Sequence, residues 1–277
     1  MPGNSQSTTL RVEELTSQAS PENSPPLPEN VEKIIRQAPA PDGYQVPIHH
    51  IRVKGKQATS TTSTNGDPAI IHFHGGGYFL LSAEMCLPPL VQAVSQTGVQ
   101  ILSIDYRLAP EHPYPVPFND CWAALQWVYA NATELNIDTA RIAVMGESAG
   151  GGLAAALTLK GRDTNLTPPL AKQILVYPML DDRTTTNHAG GIGDIESYAA
   201  PARVDSVEGL PPLYLDSAQL DMFVHEDLEY ARRFVAANIP VDLHVYPGLP
   251  HGFEAFSAGT SVTKRAYENR FKAMASF

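Results

Sequence analysis

Apolar positions along this chain change rhythm near residue 67. Beyond that point, short runs rich in strand-forming residues recur at 69–73, 100–106, 141–145, 173–177, 213–216 and 241–246. Between them lie longer stretches with helical spacing at 87–96, 119–130, 150–159, 226–237 and 261–275. Most of the short runs are largely apolar, as strands buried on both faces should be. Strand-length and helix-length segments in alternation predict βαβ units, and so an α/β fold: a mostly parallel twisted sheet with helices on both faces. Ahead of this region, Pro41-Asp42-Gly43 is a turn signal between Lys33-Ile34-Ile35 and residues 46–53, which predicts an N-terminal antiparallel hairpin. The Thr, Ser and Gly run over 58–67 reads as a loop. Residues 1–30 are rich in Pro, Ser, Asn and Glu, with one amphipathic fragment at Leu10 to Leu15, and read as a flexible arm or residual cap. The domain is expected to span 31–277.

Composition narrows the partners. The 277 residues include 19 basic and 29 acidic side chains, a formal charge of −10. No basic run interrupts that balance, which argues against nucleic acid and anionic membrane surfaces. No apolar stretch is long enough to span a bilayer, and Met1 to Thr9 is polar, so neither a membrane span nor a signal peptide is expected. Cys86 and Cys121 both sit in apolar contexts and read as free thiols rather than a disulfide or metal site. Asn131-Ala132-Thr133 and Asn165-Leu166-Thr167 match the glycosylation pattern, but no export signal accompanies them. The expectation is a cytoplasmic protein with a small-molecule partner; a homodimer stays open.

The chemistry concentrates at Gly146-Glu147-Ser148-Ala149-Gly150, entered from an apolar run and left through Gly151-Gly152-Leu153-Ala154-Ala155-Ala156. A strand-to-helix elbow projects a serine oxygen from the sheet edge, and its glycines let backbones pass closely. The helix that follows aims its positive end at the spot where an oxyanion would form. His74-Gly75-Gly76-Gly77 follows the run 69–73, and glycines there expose N–H groups, so Gly76, Gly77 and Ala149 are candidate oxyanion donors. Serine needs a base, and the base needs a carboxylate to set its tautomer. His251 follows the last predicted strand. Asp221 follows the run 213–216 after a short loop and ranks ahead of Asp216, inside that run, and Asp227, at a helix start where it would suit the dipole. The order Ser, acid, His is that of the α/β-hydrolases.

Several motifs together resemble the hormone-sensitive-lipase family of α/β-hydrolase esterases. They are His74-Gly75-Gly76-Gly77, the stretch Asp105-Tyr106-Arg107-Leu108-Ala109-Pro110-Glu111-His112-Pro113, the Ser148 pentapeptide and His251-Gly252-Phe253. Ile174-Leu175-Val176-Tyr177-Pro178 and Leu210-Pro211-Pro212-Leu213-Tyr214 also fit. The resemblance runs from about residue 33 to the C-terminus. It implies a serine hydrolase with a triad of Ser148, Asp221 and His251 and an oxyanion hole of Gly76, Gly77 and Ala149. It also implies hydrolysis of carboxylic esters of short acyl chains, without cofactor or metal. The same triad serves lactonases, amidases and deacylases, and receptors resembling this family have lost the catalytic histidine that is present here.

Three departures from the family pattern stand out. Thr184 to Glu196 is short where the family carries a longer helical insertion, although 181–210 still suffices for a parallel crossover. The N-terminal region is Pro-rich and weakly helical. Val224-His225 stands where the family has an Arg-Asp pair, so an ion pair is expected to be lost. The first two should leave the acyl pocket more open.

Overall fold

The computed structural model describes residues 26–55, 66–184 and 195–277. The arm over 1–25, most of the loop over 58–67 and the centre of the shortened segment therefore lie outside the described residues.

Eight strands form one sheet: β1 (Val31–Pro39), β2 (Gln45–Val53), β3 (Asp67–Phe73), β4 (Gln100–Ile104), β5 (Ile137–Glu147), β6 (Lys172–Val176), β7 (Leu213–Ala218) and β8 (Val241–Tyr246). Their order is β1-β2-β4-β3-β5-β6-β7-β8. The hairpin pairs β1 with β2 antiparallel, and β2 joins β4 antiparallel. From β4 to β8 every neighbouring pair is parallel. The mostly parallel sheet with an N-terminal antiparallel hairpin, expected from the apolar rhythm and the turn at 41–43, is what is observed, and it fits the α/β-hydrolase fold that the resemblance implies.

Six α-helices accompany the described strands: α1 (Leu87–Thr97), α2 (Val116–Ala130), α3 (Ala149–Asp163), α4 (Val224–Ala236), α5 (Glu254–Ser257) and α6 (Ser261–Met274). Strand alternation sends odd and even positions to opposite helical layers. In β3, Ala69, Ile71 and Phe73 pack with Phe118 of α2, Leu153 of α3 and Phe234 of α4. Ile70 points the other way, with Leu90 and Val94 of α1 and Ala266 and Met274 of α6. Because both faces are covered, the central strands are buried almost throughout, which explains their uninterrupted apolar sequence.

Boundaries differ from the sequence expectation where local chemistry overrides the apolar pattern. The strand within 100–106 ends at Ile104; the Asp105 N–H still donates to Pro47 O of β2, and the Asp105 carboxylate accepts the Ala83 N–H. α2 starts earlier, at Val116, with Pro117 in its first turn, where the missing N–H is tolerated. The crossover from β6 to β7 carries, among its described residues, only a 3-10 turn at Pro201–Arg203. Its start is pinned by Glu226, whose Oε1 accepts the N–H groups of Leu180 and Asp181 at 2.6 and 3.1 Å. Burial raises that carboxyl to about 7. At the expected loss of an ion pair, Val224 is buried in the first turn of α4. Cys86 and Cys121 are free thiols.

Acid should weaken the fold through a histidine inside the sheet. His50 of β2 is fully buried, with Nε2 2.8 Å from Gln100 Oε1 at the start of β4. Burial pushes its imidazole down to about 4, so the folded chain keeps it neutral. An unfolded chain protonates the same ring near about 6.5. The folded value is the lower one, so this stability is present above about 6.5 and lost as pH falls toward 4. Linkage puts the loss from His50 at roughly 3 kcal/mol. Urea titrations at pH 7 and pH 4.5 should show it, with the His50→Gln variant losing less between the two; equal losses would count against the assignment.

Candidate active site

Elements of the site meet at the carboxyl ends of the parallel strands, where β3 lies between β4 and β5 and the strand order reverses. Ser148 is the single residue between β5 and α3, at φ 54° and ψ −119°. A side chain at positive φ is strained, and the surroundings hold it there. Its N–H donates to Val176 O at 2.9 Å, and its carbonyl accepts from Gly152 and Met179 at 3.1 and 2.9 Å. The elbow is possible only because glycines flank it. A Cβ on Gly146 would lie 2.2 Å from the backbone of Gly150, and one on Gly150 would lie 1.9 Å from Phe73 O.

His251 lies between β8 and α5 and faces Ser148. Its Nε2 is 3.0 Å from Ser148 Oγ, and its Nδ1 is 2.6 Å from Asp221 Oδ2. The carboxylate accepts only, so Nδ1 carries the proton and Nε2 is left to accept from the serine hydroxyl. Asp221 is the third residue after β7, its side chain fully buried, and its Oδ1 accepts the Phe223 N–H at 3.0 Å. The two other acids go elsewhere. Asp216 sits inside β7 and takes a bidentate fork from Arg270. Asp227 is buried in the first turn of α4, bonded to Ser217 Oγ at 2.7 Å, and burial raises its carboxyl well above the usual range.

The glycine loop after β3 runs beside the serine: a Cβ on Gly75 would stand 3.6 Å from that of Ser148. Gly76 and Gly77 have φ values of 111° and 62°, a path that favours glycine. Among the described residues, none accepts a backbone hydrogen bond from the N–H groups of Gly76, Gly77 or Ala149. The loop is anchored by His74, whose ring stacks on Tyr106 at 4.2 Å and whose Nδ1–H donates to Gly75 O. Tyr106 in turn donates to His74 O at 2.6 Å. Burial lowers the His74 imidazole to about 4, so the anchor is neutral at ordinary pH.

A cavity of about 580 Å³ opens between this edge and helices α1 and α6, and Ser148, His251, Phe79, Met85 and Phe271 are among its walls. Glu147 also borders it. Burial pushes that carboxyl up, but His72, 2.8 Å away, and Arg270 outweigh burial and hold it below the usual carboxylate range. Among the described residues, no cluster of His, Cys, Asp and Glu could hold a metal ion. No helix among them is long and apolar enough to cross a membrane.

Sequence reasoning missed Tyr177, Glu254 and Arg270 as parts of this site. One signal was available for Arg270: it shares a helical face with the buried Ala266 and Ala273. A charged residue on an apolar stripe needs a partner inside.

Known proteins resemble this chain in sequence and fold. A family profile described as alpha/beta hydrolase fold matches residues 70–195 and 189–255. The carboxylesterase NlhH of Mycobacterium tuberculosis is 36% identical over 220 residues, covering 69% of this chain and 67% of its own length. The arylesterase of Saccharolobus solfataricus is 33% identical over 273 residues, 87% of this chain and 83% of its own. A solved bacterial heroin esterase superposes with a TM-score of 0.81 at 33% identity, over 97% of this chain and 89% of that one. The chain belongs to the hormone-sensitive-lipase-like family of α/β hydrolases and is a carboxylesterase-type hydrolase.

Proposed function

We propose that this protein cleaves carboxylic esters of short acyl chains through a Ser148-His251-Asp221 triad and an acyl-enzyme. The observation that carries the reading is the bridging imidazole, with one nitrogen 3.0 Å from the serine oxygen and the other 2.6 Å from a buried carboxylate. His251 takes the Ser148 proton as Oγ attacks the ester carbonyl, and Asp221 holds the imidazole in its tautomer and stabilises the cation that forms. The N–H groups of Gly76, Gly77 and Ala149 receive the tetrahedral oxyanion. The imidazolium then protonates the leaving alcohol. Water, deprotonated by the same base, attacks the acyl-enzyme and releases the acid. The unspent donors of the glycine loop and the mostly apolar cavity beside Ser148 support this assignment.

Two measurements test it. A fluorophosphonate should label the protein once, at Ser148, with concurrent loss of turnover. A p-nitrophenyl ester series from acetate to dodecanoate should give its highest kcat/KM at four carbons or fewer. Labelling elsewhere, with turnover intact, would reject the triad; a maximum at long chains would reject the short-acyl assignment alone.

A further inference from the structure

A histidine on a loop has no intrinsic reason to keep its ring in one orientation, because its terminal torsion is broad and nearly two-fold. Residues 247–253 form such a loop, with Gly248 and Gly252 at φ +70° and +63°. The His251 side chain is 34% exposed. Both of its hydrogen bonds nevertheless require each nitrogen to point at its own partner. Two aromatic rings meet the imidazole: Tyr177 at 4.7 Å and 62°, and Phe223 at 5.3 Å and 80°. Phe223 follows Asp221 closely and is fixed by its N–H bond to that carboxylate. Tyr177 needs other support, for it is a bulky residue at φ 34°, outside the region such residues prefer.

That support is a continuous set of bonds. The Tyr177 hydroxyl donates to Glu254 Oε2 at 3.0 Å, and Glu254 Oε1 accepts from Arg270 Nη1. Arg270, itself 4% exposed, forks onto Asp216 of β7 at 2.7 and 2.9 Å. The Tyr177 N–H closes the circuit on Asp216 O at 2.6 Å. One end of the set thus follows β6 and the other lies in β7, the strand that leads to Asp221. A fork between planar guanidinium and carboxylate fixes direction as well as distance.

We propose that Tyr177, fixed through Glu254 and Arg270, is a positioning residue that keeps the His251 imidazole turned toward Ser148. The proposal rests on the triad reading above. Its rival is a plain strut, in which Arg270 and Glu254 merely tie α6 and α5 to the sheet.

The test compares Tyr177→Phe, Glu254→Gln and Ser148→Ala in the whole chain. Phenylalanine keeps the ring and deletes the tether. Glutamine offers one acceptor oxygen where glutamate serves two donors, so Tyr177 and Arg270 cannot both be satisfied as before. Both variants should lose about tenfold in kcat, as expected when a reacting group is slightly misplaced, with KM within about twofold. The His251 Nδ1–H, 2.6 Å from Asp221 Oδ2, should give a sharp far-downfield proton resonance in the parent and a broadened one in both variants. Unchanged kcat with a sharp resonance overturns the proposal, and so does a lower melting temperature with kcat intact, the signature of a strut. If Ser148→Ala retains turnover, the triad reading itself falls and the proposal with it, an outcome the other two variants cannot mimic.

Discussion

Ser148→Ala should reduce kcat on p-nitrophenyl butyrate by roughly 10⁴- to 10⁶-fold, the range seen when a triad nucleophile is removed from a serine hydrolase. The replacement deletes one oxygen and leaves the Cβ, so the elbow at φ 54° and its bonds to Val176, Gly152 and Met179 persist. The melting temperature should therefore stay within a few degrees of the parent. Residual turnover would come from the glycine-loop donors stabilising the oxyanion formed when water attacks the ester carbonyl directly. Because the triad acts as a unit, adding His251→Ala to this variant should lower kcat little further. Turnover within tenfold of the parent would remove Ser148 from the mechanism.

Gly150→Ala should do more damage to the fold than any single methyl added on the surface. The new Cβ would stand 1.9 Å from Phe73 O and 2.5 Å from His74 O, both backbone atoms where β3 passes into the glycine loop. No flexible side-chain tip can yield, so either α3 lifts from the sheet or the end of β3 moves. Overpacking usually costs about 1–3 kcal/mol, and a clash with backbone belongs at or beyond the upper end. For a domain of this size about 3 kcal/mol corresponds to a melting temperature lower by about 6–12 °C. Gly259→Ala is the control, since nothing lies within 4 Å of a Cβ there. Equal melting temperatures for the two variants would show that the close approach at Gly150 is not what constrains the elbow.

The sheet was legible because its central parallel strands, buried on both faces, must be apolar along most of their length, a pattern turns and surface helices do not share, while β8 at the exposed edge alternates polar and apolar residues. The positions of Ser148, Asp221 and His251 were legible for a related reason: in a parallel sheet, whatever follows a strand lands at one edge. What escaped was support by long-range polar contact. Nothing local marks Glu254 and Tyr177 as partners, since they lie 77 positions apart. Arg270 betrays itself only by lying on the apolar face of its helix with Ala266 and Ala273, and nothing local names Asp216 as its partner. Ends of elements slipped for similar reasons, as just past Ile104, where the Asp105 carboxylate is bonded to the distant Ala83 N–H. The turn at Pro201–Arg203 shows the converse, being the one helical turn among the described residues of the crossover from β6 to β7.

The two helical layers have unequal duties. The cavity is walled by α1 and α6, whereas the cluster joining Leu125 and Val128 of α2 to Leu157 of α3 lies across the sheet from it. Selection for heat tolerance and selection for new substrates can thus act on opposite sides of the molecule, and a lineage can gain robustness on one side while it retunes chemistry on the other.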